Sequence, residues 1–365
     1  MTPSTDLNYR DKFSNSFNQL FYDACRITRF TPTECFYWFR TYLRQKRKAI
    51  ARRKAESEQL IVPPILIFSS TTRCNLQCKG CYTRSRNENL DELPIEKVSD
   101  LFREASELGV GVIMIAGGEP LMKPEILWLA AKQKDIIFPV FTNGMLLNQG
   151  SISFFRHHRN LIPILSVEGE RNRTDSRRGK GVYARLIQNM ERFHSMRQMY
   201  GLSFTLTSEN FEEVTHPLLM RTHHDLGCRL FFMVDYVPQS ETDTDLCLKD
   251  SQKAGLSGRI ERLRKTVPGL FISLPGDEEK YGGCLAGGRG FAHISASGSL
   301  EPCPFAPYSD TDLSNRGLKE ALGSPFMKTI RESHHMLGEA KGGCTLWENR
   351  DWVRSELELS LASPA

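Results

Sequence analysis

The chain has 365 residues, 40% hydrophobic and 25% charged, enough for one large domain, a smaller one and a substantial buried core. No apolar run approaches the roughly 20 residues that span a bilayer, and the opening MTPSTDLNYRDKF lacks the basic flank and apolar stretch of a secretory signal. The formal charge of +5 sits unevenly, with 12 Lys/Arg against 6 Asp/Glu in residues 1–62 and 36 against 37 beyond, so a fibre, a membrane span and a uniformly basic body are all excluded.

A cytoplasmic address is the expectation. In a reducing compartment the ten cysteines are poor disulfide candidates and better candidates for metal binding or catalysis.

The first 60 or so residues read as helical. Phe36-Tyr37-Trp38-Phe39 leads into RTYLRQKRKAIARRKAESEQL, rich in helix formers and free of Gly and Pro. Seven of the eleven residues from Arg44 to Lys54 are basic. This basic helical extension, residues 1–62, has two readings: a surface for nucleic acid, acidic lipid or an acidic partner, or a solvated helix packed by one apolar side on the domain that follows. The second carries more weight, because charge runs on helices are usually just hydrated. Val62-Pro63-Pro64 stops the helix, since proline lacks the donor and restricts its predecessor.

An alternation then begins. Ile65–Phe68 suits a strand buried on both faces. Pro94–Leu108 predicts a helix, with Ile95, Val98, Leu101, Phe102, Ala105 and Leu108 on one face and Gly109 as its stop. Strands follow at Val110–Ile115, Ile136–Phe141, Leu161–Val167, Leu202–Thr207 and Arg229–Tyr236. Helices fall at Pro124–Lys134, Ser151–His158, Val182–Tyr200 (closed by Gly201), Phe211–Leu226 (closed by Gly227) and near Ser251–Thr266. Six strand-then-helix units argue for parallel strands with helical crossovers, in an α/β core over residues 63–268. Periodicity leaves open whether the sheet is flat or curled; in either case chemistry belongs at the carboxyl ends of the strands. Residues 269–349 differ in texture: paired glycines at 282–283 and 287–288, a hairpin-like AHISASGSL and short helical pieces predict a small C-terminal hairpin-plus-helix module. Residues 350–365 read as a terminal helix and tail.

Cys74, Cys78 and Cys81 form C-x3-C-x2-C in the loop after the first buried strand. Three thiolates so spaced can surround one metal centre, and thiolate is the usual ligand of iron–sulfur clusters and of structural zinc. Structural zinc takes four ligands, and no fourth Cys or His lies nearby. A cubane held by three cysteines leaves one iron open for a substrate or cofactor.

The triplet resembles the signature of the radical S-adenosylmethionine (AdoMet) superfamily. One strand–helix unit later, Gly117-Gly118-Glu119-Pro120 resembles that family's second hallmark, where glycines let backbone approach a ligand. The resemblance runs over roughly residues 63–345. Phe141-Thr142-Asn143-Gly144 is similar to the turn after the third strand, and Ser166-Val167-Glu168-Gly169 to the segment after the fourth, where the serine commonly meets the ribose. Arg178-Gly179 is similar to the loop before the next helix, and Thr207 and Asn210 fall at the end of the fifth strand. Where the family usually carries an aromatic residue before the third cysteine, this chain has Gly80, with Tyr82 just after. The resemblance implies a (β/α)6 partial TIM barrel holding a [4Fe-4S] cluster and AdoMet, with Gly117, Gly118, Glu119, Thr142, Ser166, Arg178 and Tyr82 as cofactor contacts. Reductive cleavage of AdoMet to a 5′-deoxyadenosyl radical, with electrons from a reductant such as flavodoxin or ferredoxin, would abstract hydrogen from the substrate.

Cys284, Cys303 and Cys344 lie in the C-terminal module. Gly298–Cys303, Leu318–Leu322 and Ser324-Pro-Phe resemble the auxiliary-cluster module of the SPASM and twitch subgroup, nearer the shorter twitch form. That implies an auxiliary [4Fe-4S] cluster for substrate binding or electron transfer, with a non-cysteine fourth ligand or an open iron. A structural zinc site or unligated buried thiols are the alternatives. Cys25, Cys35, Cys228 and Cys247 have no motif spacing and read as incidental. Adjacent histidine pairs do not share a helix face.

Within the family the nearest resemblance is to the molybdopterin-precursor, peptide-maturase and sulfatase-maturase branch. Met114 stands where the first of these carries arginine, and the chain closes LASPA instead of in a double glycine. The extension also lacks the alternating strands of a peptide-recognition module. The expectation is therefore oxidation or rearrangement of an unidentified peptide or small molecule. The rival from another class is a non-catalytic iron–sulfur or zinc protein that transfers electrons or binds a partner.

Overall fold

In this computed structural model the described residues are 32–86, 91–274, 281–337 and 344–362; the helix expected over residues 1–31, and Cys25 with it, lies outside them. A helix α1 (Pro32–Ser57) precedes strand β1 (Ile65–Ser69), and a single turn α2 (Tyr82–Ser85) follows the cysteine loop. Then α3 (Ile95–Leu108), β2 (Val112–Ala116), α4 (Pro124–Lys132), β3 (Phe138–Thr142), α5 (Gln149–His157) and β4 (Leu161–Val167) alternate as expected. Helices α6 (Arg171–Arg178) and α7 (Val182–Ser195) lead to β5 (Gly201–Leu206), and α8 (Phe211–Val214) with α9 (Pro217–Asp225) to β6 (Leu230–Asp235).

Two expected helices are shorter. The one from Val182 ends at Ser195, where Arg197 turns at φ 51°. Gly201 opens β5 instead of closing that helix, because a Cβ there would lie 2.8 Å from both Ile164 and Leu230 in the flanking strands. Pro217 splits the other into α8 and α9, since it lacks the N–H that a continuous helix needs.

After α10 (Asp250–Thr266), residues Leu270–Leu274 form a seventh parallel strand, β7, beside β6. The composition shift at 269 hid it. The hairpin β8 (Phe291–Ile294) and β9 (Leu300–Glu301) extends the same sheet: β8 runs parallel to β1, with Ile65 opposite Phe291. The strand order is β7-β6-β5-β4-β3-β2-β1-β8-β9, open at both ends. Helices α11 (Leu318–Leu322), α12 (Pro325–Glu332), α13 (Thr345–Glu348) and α14 (Arg350–Ala362) follow the hairpin in the chain. Glu104 on α3 accepts the Leu318 and Lys319 amides, 2.8 Å each, and so caps α11 from the core.

Period-two alternation divides the strands' side chains between two environments. Leu66, Phe68, Ile113, Ile115, Val140 and Leu165 pack outward under the helices. Ile67, Val112, Met114, Ile164 and Phe232 point inward with Trp38 of α1. Buried Trp38 and Tyr37, whose hydroxyl donates to the Arg159 carbonyl at 2.8 Å, pack α1 on that inner face.

The basic run on α1 is partly structural. Lys48 donates to the Ser106 carbonyl and hydroxyl at 2.6 Å and pairs with Asp135; Arg52 donates to the Gly109 carbonyl at 2.6 Å. Both cations sit at the C-terminus of α3, where free carbonyls and the helix dipole favour positive charge. Lys46, Arg47, Arg53 and Lys54 remain exposed. No described helix is long and apolar enough to cross a membrane.

Candidate active site

The inward faces of the strands enclose a cavity of about 300 Å³ that touches every strand from β1 to β8. Eight parallel strands laid flat would span roughly 34 Å, too wide for one such cavity to reach them all, so the sheet curls around it as a half-barrel. Its apolar wall comes from Ile65, Ile67, Met114, Phe141, Val234 and Leu274. All six candidate ligand cysteines, Cys74, Cys78, Cys81, Cys284, Cys303 and Cys344, line this one cavity.

The loop bearing the first triplet is held chiefly by backbone bonds. Ser70 N–H donates to the Ala116 carbonyl at 2.9 Å, Gly118 N–H to Thr71 at 2.7 Å and Glu119 N–H to Arg73 at 2.9 Å. A Cβ on Gly118 would lie 2.0 Å from the Arg73 carbonyl oxygen, and one on Gly117 (φ 106°) 2.7 Å from that of Thr71. These glycines admit the cysteine loop itself to close approach, and two amides of the GGEP turn are already bonded to it. Gly117 and Gly118 nonetheless line the cavity. On the far side Lys79 and Arg177 exchange two bonds: Lys79 N–H to the Arg177 carbonyl at 3.0 Å, and Arg177 Nε to the Lys79 carbonyl at 3.2 Å.

Glu119 and Thr142 lie behind this wall. The Glu119 carboxylate is fully buried and accepts from Thr142 Oγ1 (2.7 Å), Asn143 N (2.8 Å) and Leu121 N (3.1 Å). Burial pushes its pKa up, against those hydrogen bonds. It fastens the turn to β3, which lets Asn143 Nδ2 reach Asn75 Oδ1 at 2.8 Å and Cys74 Sγ at 3.7 Å. Thr207 and Asn210 are likewise buried and bond each other's backbone.

Ser166 and Arg178 line the cavity, and Ser166 Oγ accepts from Ser203 at 3.3 Å. Arg177 and Arg178 both clamp the buried Glu168 carboxylate, at 2.6 Å each. Burial opposes the charge on Arg178, but Glu168 and the nearby cysteines outweigh it and raise its pKa. Burial pushes the Cys78 thiol up while Arg178 pulls it down; the Cys74 thiol is raised chiefly by burial. The arginine pair thus supplies positive potential beside ligands that must be thiolates to bind a cluster.

The second triplet comes from three separate segments: Cys284 before β8, Cys303 after β9, and Cys344 at the start of α13. The Cys303 and Cys344 thiols share a hydrogen bond, which with burial puts the Cys303 thiol well above its ordinary range. Among the described residues no three His, Cys, Asp or Glu side chains converge tightly enough for a single metal ion. Thiols on one cavity are the donor type that an iron–sulfur cluster or a structural zinc takes.

The contacts that join the two triplets escaped the sequence reading, although Tyr82 itself was named there as a cofactor contact. Tyr82 packs edge-on to Phe305, 5.5 Å between centroids. Arg86 grips the Glu301 carboxylate and donates to the Pro304 carbonyl at 3.0 Å, next to Cys303. Glu301 in turn meets His293 Nδ1 at 2.7 Å, and His293 Nε2 meets Ser69 Oγ at 2.8 Å. Arg177, Asn143, Asp235 and Tyr236 also line the cavity unforeseen. Asp235 ends β6 and Tyr236 follows it, where the rule of carboxyl-end chemistry could have found them.

Residues 68–216 match the family model described as the Radical SAM superfamily. The chain is 26% identical over 208 residues to Fe-coproporphyrin III synthase of Methanosarcina barkeri, covering 55% of this chain and 52% of that protein. It is 24% identical over 314 residues to the AdoMet-dependent heme synthase of the same organism, covering 78% and 88%. The chain thus spans about half the length of the first and most of the second. Among solved structures, Streptococcus suis SuiB bound to S-adenosylmethionine superposes with TM-score 0.63 at 18% identity, covering 80% of this chain and 75% of that one. SuiB bound to its precursor peptide SuiA gives 0.62, covering 87% and 78%.

Proposed function

Because residues 68–216 match the Radical SAM superfamily model, we propose that the chain is an enzyme of that superfamily that cleaves AdoMet reductively and abstracts hydrogen from a substrate held in the half-barrel. In this reading Cys74, Cys78 and Cys81 hold the AdoMet-binding [4Fe-4S] cluster, and Cys284, Cys303 and Cys344 hold an auxiliary one. The observation that carries the reading is that both triplets line one cavity together with Gly117, Gly118, Ser166 and Arg178. When bound, the cluster and AdoMet supply a 5′-deoxyadenosyl radical.

The protein's own residues do the rest. Asn143 and the Lys79–Arg177 exchange hold the cysteine loop in place, and Arg177 and Arg178 favour thiolate over thiol. The apolar wall receives an apolar part of the substrate and keeps water from the reacting centre. A peptide or a small molecule with a large apolar face fits it; relatives named for heme synthesis and a neighbour bound to a precursor peptide lie on both sides of that choice. A flavodoxin- or ferredoxin-type protein is the expected reductant, and the exposed cations of α1 the candidate contact for an acidic partner.

Anaerobic reconstitution tests the reading. The expected result is about eight irons per chain and 5′-deoxyadenosine on adding dithionite and AdoMet. About four irons would remove the auxiliary cluster. A reducible cluster that yields no 5′-deoxyadenosine would leave an electron carrier instead.

A further inference from the structure

Tyr236 follows the last residue of β6, its N–H bonded to the Leu206 carbonyl at 2.9 Å. It is 3% exposed, lines the cavity, and its buried hydroxyl has no hydrogen-bond partner among the described residues. A buried phenol without a partner is costly unless a ligand completes it. Its ring lies against Gly80, between Cys78 and Cys81: a Cβ at position 80 (φ 61°) would fall 2.6 Å from Tyr236 Oη, 2.8 Å from Cε2 and 3.0 Å from Cζ. Position 80 is glycine here because Tyr236 fills the space its side chain would need. The other tyrosine beside the triplet, Tyr82, has its ring against Phe305 and a hydrogen bond with Thr83.

We propose that Tyr236 is the base-recognition residue of the AdoMet pocket, its ring packing on the purine and its hydroxyl bonding a polar atom on the purine edge. The inference rests on the reading of this cavity as the AdoMet site. A flat heteroaromatic ring with donors and acceptors around its rim is the partner that a phenol with an unmet hydroxyl selects. The apolar wall carries no polar group to meet a purine edge and suits the substrate's apolar part.

The test is ligand binding to the anaerobically reconstituted holoenzyme, with iron content verified in each variant. The probes are S-adenosylhomocysteine and S-ribosylhomocysteine, which lacks the base. Tyr236→Phe should weaken S-adenosylhomocysteine about fivefold, the usual effect of one lost hydrogen bond, and Tyr236→Leu by more. S-Ribosylhomocysteine should bind parent and variants alike. Equal S-adenosylhomocysteine affinity in parent and Tyr236→Phe would overturn the assignment, as would equal weakening of both probes, which marks a merely structural role. A parent enzyme with full iron that binds neither probe would remove the AdoMet reading itself, and the assignment with it.

Discussion

The two cysteine triplets are built in opposite ways. The first occupies eight consecutive positions, and its loop is fixed by backbone bonds to the neighbouring strand-ending turn and to Arg177. The second draws on residues 284, 303 and 344, which lie on three separate segments around the hairpin that pairs with β1. Cys74 is exposed and Cys78 and Cys81 half-buried, whereas Cys284 and Cys303 are buried. A local site can form with its loop; a composite one needs the whole sheet.

Single substitutions should separate the two most sharply. Cys74→Ala is expected to abolish 5′-deoxyadenosine formation, by at least about a thousandfold, while iron bound to the second triplet is retained. Cys303→Ala should remove about half the iron yet keep measurable AdoMet cleavage without turnover of substrate. Iron counting together with product analysis reads both, and loss of all iron in either variant would show that the two sites do not form independently.

That contrast also explains what was legible in the sequence. C-x3-C-x2-C and GGEP are local spacings, so the loop, its place after β1 and the alternation of β2 to β6 could be read directly. The side chains fastening the triplets together could not. Arg86 meets Glu301 across 215 residues and His293 meets Ser69 across 224, and no periodicity reports such pairs. Strand β7 was hidden because LFISL adjoins a glycine- and charge-rich stretch that reads as a boundary. Gly117 and Gly118 were visible, but the neighbour they admit is the cysteine loop. Only the backbone path shows that.

Gly118→Ala attacks the local site alone. The added methyl would fall 2.0 Å from a carbonyl oxygen, and backbone cannot swing aside as a flexible side chain does. The loop must shift, so iron at the first triplet should fall about tenfold with the second unaffected. Equal loss at both would mean that the loop and the hairpin move as one body.

Arg86→Met cuts the bolt between the regions. It leaves Glu301, 2% exposed, without its guanidinium partner, and removing one member of a buried ion pair costs about 3–5 kcal/mol. Thermal denaturation should show that loss, and Arg86→Lys should recover part of it through charge without the paired bonds. A change near zero would show that the hairpin is held by β8–β1 pairing alone.

The smallest expected effect is a pH dependence in the same bolt. Burial lowers the pKa of His293 from 6.5; Glu301 pulls upward, but less strongly, and Arg86 adds a further downward push. The Glu301 charge is already matched by Arg86, so a protonated imidazole would place a second cation on one carboxylate in a dry site. Neutral His293 can instead donate one ring N–H and accept at the other nitrogen, which suits a chain from Ser69 to Glu301. An unfolded histidine takes up its proton near pH 6.5 and the folded one only lower. This stabilisation is therefore complete above pH 6.5 and is lost as the pH falls through the folded value. Iron at the second triplet should loosen over that range before iron at the first. His293→Gln, which keeps a donor and an acceptor but cannot titrate, should flatten the profile; an unchanged profile in that variant would place the titrating group elsewhere.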